Sequence, residues 1–169
     1  VPLYTDMEVT DYLRFMGKIR GMSPEYLSRR ISEVIEIVGL EEYRSTYIDK
    51  LSKGFRQRVG IAQAVLHEPD ILILDEPTIG IDPIQVVETR QLIKGLGGKQ
   101  TLILSSHILP EVSMVCERVI IIHEGQIVAE DTPDNLASRL SGIEQIEIDV
   151  RGPSKDCLLY TSPSPRDRG

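Results

Sequence analysis

Two short apolar runs constrain this chain more than any other feature. Ile71-Leu72-Ile73-Leu74 ends in Asp75-Glu76-Pro77-Thr78, and Thr101-Leu102-Ile103-Leu104 ends in Ser105-Ser106-His107. Runs this short, continuous and rich in Ile and Leu suit strands buried on both faces of a parallel sheet. Between them Asp82-Pro83 offers a cap and first turn for a helix reaching about Leu96, with Gly97-Gly98 to break it. A strand, a helix and a second strand joined by short links predict an α/β fold with parallel pairing. Ligands in such sheets gather at the carboxyl ends of the strands. Glu76 and His107 fall at those ends, which makes them the first candidates for chemistry.

The flanking sequence predicts more helix before these runs and a hairpin after them. Thr10 is read as the N-cap of a first helix with Leu13, Phe15, Met16 and Ile19 on its apolar face and Gly21 near its end. Ser23-Pro24 opens a second, with Leu27, Ile31, Val34, Ile35 and Val38 at helical spacing and Gly39 to stop it. Glu41 to Lys50 reads as a polar connection. A third helix is expected after Gly54, with Phe55, Val59, Ala62 and Leu66 as its stripe and Glu68-Pro69-Asp70 as its end. Downstream, a helix from about Ile108 to Cys116 precedes strands over Arg118–His123 and Ile127–Glu130. These flank a Glu124-Gly125-Gln126 turn. Thr132-Pro133 opens a short helix to Leu140, and residues 143–150 alternate like an exposed strand. The proline- and serine-containing stretch 151–169 shows no periodicity and reads as disorder, with a character foreign to the rest of the chain.

Composition narrows the class. The chain has 169 residues, 41% of them hydrophobic, and a formal net charge of -7. No apolar run approaches the ~18–20 residues of a membrane helix. An acidic balance is not that of a dedicated nucleic-acid binder, so no nucleic-acid partner is expected. Cys116 and Cys157 have neither metal-ligand nor paired spacing and read as reduced bystanders.

Leu51-Ser52-Lys53-Gly54-Phe55-Arg56-Gln57-Arg58 supplies the third candidate. A serine and a glycine at a helix start offer a hydroxyl, a close backbone approach and free N–H groups for a phosphate. The plainer reading is that Ser52 simply caps the helix. In the same way Asp82 is an ordinary N-cap, Ser106 caps the next helix, and Asp75-Glu76 is an acidic strand end entering a turn. Taken in order, however, these pieces resemble the ATP-binding cassette (ABC) ATPases over roughly residues 1–140. The stretch from Leu51 resembles the family's Leu-Ser-Gly-Gly-Gln signature, with Lys53 in place of the first glycine and Phe55 in place of glutamine. The run ending at Asp75-Glu76 resembles Walker B, Ile79-Gly80-Ile81-Asp82 the D-loop, and His107 the switch histidine.

The resemblance implies a partial P-loop NTPase-like parallel sheet with a helical signature-bearing subdomain. It divides the chain into a helical part (1–52), a C-terminal part of the ATPase core (53–142), a possible extra strand (143–150) and the tail (151–169). It implies ATP and Mg²⁺ as ligands. Glu76 would polarise the attacking water, His107 would contact the γ-phosphate, and Asp75 would hold Mg²⁺ through water. Ser52, Lys53 and Gly54 would meet ATP held by a second subunit in a head-to-tail dimer, and Gly80 and Asp82 would lie at that interface. Integral membrane subunits would be the further partners, and the inner face of the cell membrane the location. The Gln57-Arg58 continuation and the Ile81-Asp82-Pro83 region look like prokaryotic exporters with separate membrane subunits. The alternatives are a non-transport ABC ATPase of DNA repair or ribosomes, and a non-catalytic binding module. No G-x-x-x-x-G-K-[ST] loop occurs in the sequence. The chain therefore reads as N-terminally truncated and, alone, inactive toward ATP, with a sheet edge and apolar face open to aggregation.

Overall fold

The computed structural model describes residues 3–98 and 100–141. The stretches 143–150 and 151–169 singled out above lie outside them. Three helices come first: α1 (Val9–Ile19), α2 (Pro24–Val38) and α3 (Lys53–Val65). They pack against one another around Leu13, Leu27, Val34, Ile35, Val59 and Ala62, all essentially solvent-free. These are positions at helical spacing, so most of each apolar stripe becomes a seam of the bundle, whereas Phe15 and Ile19, read as part of the apolar face of α1, stay exposed. Each of the Leu, Ile and Val side chains among them contributes about 1.5–3 kcal/mol on burial.

Two caps differ from expectation. α1 begins at Val9, not after Thr10, and its first amides are satisfied by a neighbouring segment rather than by its own side chains. Val9 N donates to Thr46 O at 3.1 Å and Thr10 N to Arg44 O at 3.1 Å, and the Thr10 hydroxyl itself donates to Arg44 O at 2.8 Å. The polar connection thus serves as an external cap, folded into two 3₁₀ turns, Glu41–Tyr43 and Ile48–Lys50. Ser23 stands at the N-cap of α2 in extended backbone but makes no side-chain cap bond; Pro24, which has no N–H to satisfy, does the work of starting the helix. Gly39 ends α2 in the left-handed region (φ 66°), with Leu40 N reaching back to Ile35 O at 2.9 Å.

After α3 the chain forms β1 (Ile71–Asp75), α4 (Pro83–Leu96) and β2 (Thr101–Ser105). The strands pair in parallel, with Ile71 opposite Thr101 and Asp75 opposite Ser105. They are not buried on both faces. Leu72 and Leu74 point into the core, whereas Ile71, Ile73 and Ile103 are exposed. The helices cover one face of the pair, and nothing among the described residues covers the other, so a run that reads as doubly buried is half-buried in this chain.

α5 (Leu109–Val115) follows, then β3 (Val119–His123) and β4 (Gln126–Asp131), an antiparallel hairpin with an irregularity between Ile121 and Ile122. The turn is the two residues Glu124-Gly125, both at positive φ (49° and 75°) as a tight hairpin connection demands. Gln126 belongs to the strand, opposite His123. α6 (Pro133–Ser141) is the last described element. The described residues up to Leu136 form one compact unit, and 137–141, the end of α6, fall outside it.

Candidate functional site

The candidate residues assemble as two groups, both positioned by the β1–α4–β2 crossover. The first lies at the carboxyl ends of the parallel strands. Because Asp75 and Ser105 are register partners, their side chains share a face, and the Ser105 hydroxyl donates to Asp75 Oδ1. The same hydroxyl accepts from Glu76 N at 3.2 Å, and Ser105 O accepts from that N–H as well. Glu76 sits just past the strand at φ 46°, a left-handed conformation that non-glycine residues adopt rarely and that clusters where function demands it. This turns its carboxylate toward the second strand's end, where Oε1 lies 2.7 Å from His107 Nδ1. The pair is accessible: Glu76 is half-buried and His107 exposed.

The arrangement suits an activated water. A carboxylate held by an imidazole through one oxygen keeps the other free to accept a proton, and the ring's Nε2 remains to meet a substrate. Among the described residues no group of three or more His, Cys, Asp or Glu side chains is placed to hold a metal. Mg²⁺ keeps several waters and takes one or two carboxylates together with substrate phosphates rather than an all-protein cage. Asp75, exposed and with Oδ2 uncommitted, is the carboxylate such a hydrated ion would use.

The second group surrounds the start of α3. Ser52 is its N-cap and accepts from Phe55 N at 3.3 Å. The helix begins at Lys53, so Gly54 lies within its first turn rather than before it. Gln85 of α4 reaches this point: its Nε2 donates to Ser52 Oγ at 3.3 Å, and its carboxamide fills the space a Cβ on Gly54 would need. Lys53 lies along Gly80, whose φ of 67° favours glycine. Asp82 caps α4 through Oδ1, accepting from Ile84 N at 3.1 Å and Gln85 N at 3.0 Å, which places Gln85 for its role. Phe55, the departure from the signature pattern, packs between the Tyr43 ring (4.4 Å between centroids) and the Arg58 guanidinium at 5.4 Å.

Three participants had no signal of their own in the sequence. Ser105 becomes visible only through strand register, and Gln85 only through the cap at Asp82. The third is Glu111 on α5, a carboxylate 9% exposed. Thr78 donates to its Oε2 at 2.5 Å and Arg90 to its Oε1 at 2.7 Å. The Thr78 bond, ahead of the Arg90 interactions, holds its carboxyl below the usual carboxylate range despite the opposing effect of burial.

Parallel strands that carry an acid and a histidine at their carboxyl ends mark an α/β protein whose chemistry is at that edge. The comparisons narrow this class. The ABC transporter family profile matches residues 4–79. The linearmycin resistance ATP-binding protein LnrL of Bacillus subtilis is 37% identical over 94% of this chain and 51% of its own length. The bacitracin transport ATP-binding protein BcrA of Bacillus licheniformis is 42% identical over 80% of this chain and 44% of its own. Among solved structures, cbiO1 from Clostridium perfringens, part of the ABC transporter complex cbiONQ, superposes with a TM-score of 0.75 at 28% identity, over 83% of this chain and 56% of that one. The chain belongs to the ABC transporter ATP-binding family, a family of ATPases. It spans about half the length of the curated relatives it matches.

Proposed function

We propose that this chain is part of the ATP-hydrolysing subunit of an ABC exporter whose membrane subunits are separate chains. The observation that carries the reading is the 2.7 Å contact of Glu76 with His107 at the ends of the parallel strands. Glu76 polarises the attacking water, His107 orients it and faces the γ-phosphate, and Ser105 holds the backbone of Glu76 so that the carboxylate is aimed before substrate arrives. Asp75 would hold Mg²⁺ through water, and the ion would supply neutralisation of the phosphate charge. Ser52, Lys53 and Gly54 serve ATP held by a second copy in a head-to-tail dimer, with Gly80 and Asp82 at the interface.

Two related names support the export reading: LnrL is a resistance protein and BcrA a transport protein. The partners are integral membrane subunits, and the location is the inner face of the cell membrane. No helix among the described residues is long and apolar enough to cross a membrane. The 169 residues alone do not turn over ATP, because the phosphate-cradling loop that would supply most of the binding is not among them.

Glu76→Gln in the full gene product tests the assignment. Hydrolysis should fall by roughly 10²–10⁴-fold while binding of a fluorescent ATP analogue persists. Unchanged turnover in that variant would remove Glu76 from the mechanism.

A further inference from the structure

The Glu76–His107 pair is built from two loops on different strands, joined at their base by the bonds from Glu76 N to Ser105. The structure places a polar tie directly behind them. Thr78, two residues past Glu76 and itself 8% exposed, donates to Glu111 Oε2 at 2.5 Å. The loop carrying Glu76 is closed by Ile79 N donating to Glu76 O at 3.2 Å, so Thr78 and Glu76 belong to one rigid turn. Glu111 lies on the first turn of α5, where its own N–H donates to Ile108 O at 3.0 Å, the carbonyl next after His107. Arg90, from α4, donates to Glu111 Oε1 at 2.7 Å and fixes the carboxylate from the third side. One carboxylate therefore joins the turn of Glu76, the loop of His107 and the crossover helix between them.

Burying a carboxylate is unfavourable unless both oxygens are satisfied, and here both are. A hydrocarbon of similar size would pack this position without that requirement. What the charged group adds is a fixed distance between two loops.

We propose that Glu111 is a positioning residue for hydrolysis, setting the spacing of Glu76 and His107 through Thr78 and anchored by Arg90. Its two oxygens are taken by Thr78 and Arg90. The inference rests on the ATPase reading, and the experiment separates the two.

ATP turnover and KM would be measured on the full gene product as wild type, Thr78→Val, Thr78→Ser and Glu111→Gln, each in the wild-type and the His107→Ala background. A displacement of reacting groups costs roughly 10–100-fold in rate. Thr78→Val and Glu111→Gln should lower kcat by that order with KM changed less than about twofold. Thr78→Ser, which keeps the hydroxyl, should recover most of the loss. In the His107→Ala background the further loss should shrink to about twofold, because the pair being positioned is already broken.

If Thr78→Val turns over like wild type, if Thr78→Ser fails as badly as Thr78→Val, or if the losses multiply fully with His107→Ala, Glu111 is structural only. Should Glu111→Gln fail to fold, the Thr78 pair decides the question unaided. A wild type that binds ATP without hydrolysing it would overturn the ATPase reading and this inference with it. An active wild type indifferent to Thr78→Val would overturn the inference alone.

Discussion

The helical layer and the strand layer of this chain use the same kinds of apolar residues and treat them in opposite ways. In α1–α3, Leu13 and Ile35 are 0% exposed, and the helices close on one another. In β1 and β2, Leu72 and Leu74 are buried while Ile73 is 68% exposed and Ile103 51%. The hairpin repeats the pattern, with Ile122 and Ile127 outward. The helical layer buries most of its apolar side chains, with Phe15, Ile19 and Ile37 the exceptions, whereas the strands complete only one of their two faces here. The candidate residues Asp75, Glu76 and His107 sit on the less complete layer, as expected if functional segments are drawn from the less stable end of a structure.

The sharpest way to break this contrast is to shorten one isoleucine in each layer. Ile35→Ala should lower the unfolding free energy of the chain by about 2–5 kcal/mol, since a fully packed site leaves a cavity. Urea denaturation followed by far-UV circular dichroism reads the change, and an effect below the range would show the bundle to be loosely packed. Asp82→Ala tests the junction between the layers. Loss of a cap serving two amides should cost about 1 kcal/mol, and it should also loosen Gln85 from Ser52, visible as faster amide exchange at the start of α3. Ile73→Thr should shift stability by no more than about 0.5 kcal/mol and should raise the concentration at which the chain stays monodisperse in light scattering. A large destabilisation there would mean that the outer face is buried after all.

The smallest expected effect is on pH dependence. Glu111 has its pKa lowered in the folded state, chiefly by the Thr78 bond. Its contribution is therefore complete above the ordinary carboxylate pKa and is lost as the pH falls through the depressed folded value. Below about pH 4.5 wild type should lose stability more steeply than Glu111→Gln. Parallel curves would show that the carboxylate gains nothing from its partners.

Much of this was legible in the sequence, and the omissions have physical causes. Helical stripes, Gly39 as a stop, Asp82 as a cap and the hairpin turn all depend on neighbours within a few residues, where periodicity and turn chemistry speak directly. The placing of Glu76 beside His107 could be expected from fold class, because both follow parallel strands. The Asp75–Ser105 bond could not, because it depends on register between strands 30 residues apart. Glu111 carried no pattern at all: a single acid on a short helix looks like a solvated face until three elements converge on it. The outward isoleucines were misjudged for a related reason. A continuous apolar run reports what a strand can bury, not how much of its surroundings the chain supplies.

The β1–α4–β2 crossover has a consequence for the order in which the molecule comes into being. The helices α1, α2 and α3 end at Val65, so a ribosome delivers all three before it has made either strand, and Leu72, Leu74, Ile93 and Leu96 join their core only afterwards. β1 then emerges with no partner, and Asp75 waits for Ser105 while about 30 residues are added. At ~5–20 residues per second that is roughly two to six seconds. For that interval Ile71 and Ile73 belong to a strand without its partner, tethered to three helices whose core is still incomplete. Parallel pairing across a helix cannot be hastened by a local turn. The Glu76–His107 contact therefore waits for β2, and the strand that leads to Glu76 is the one most exposed to capture by another chain during synthesis.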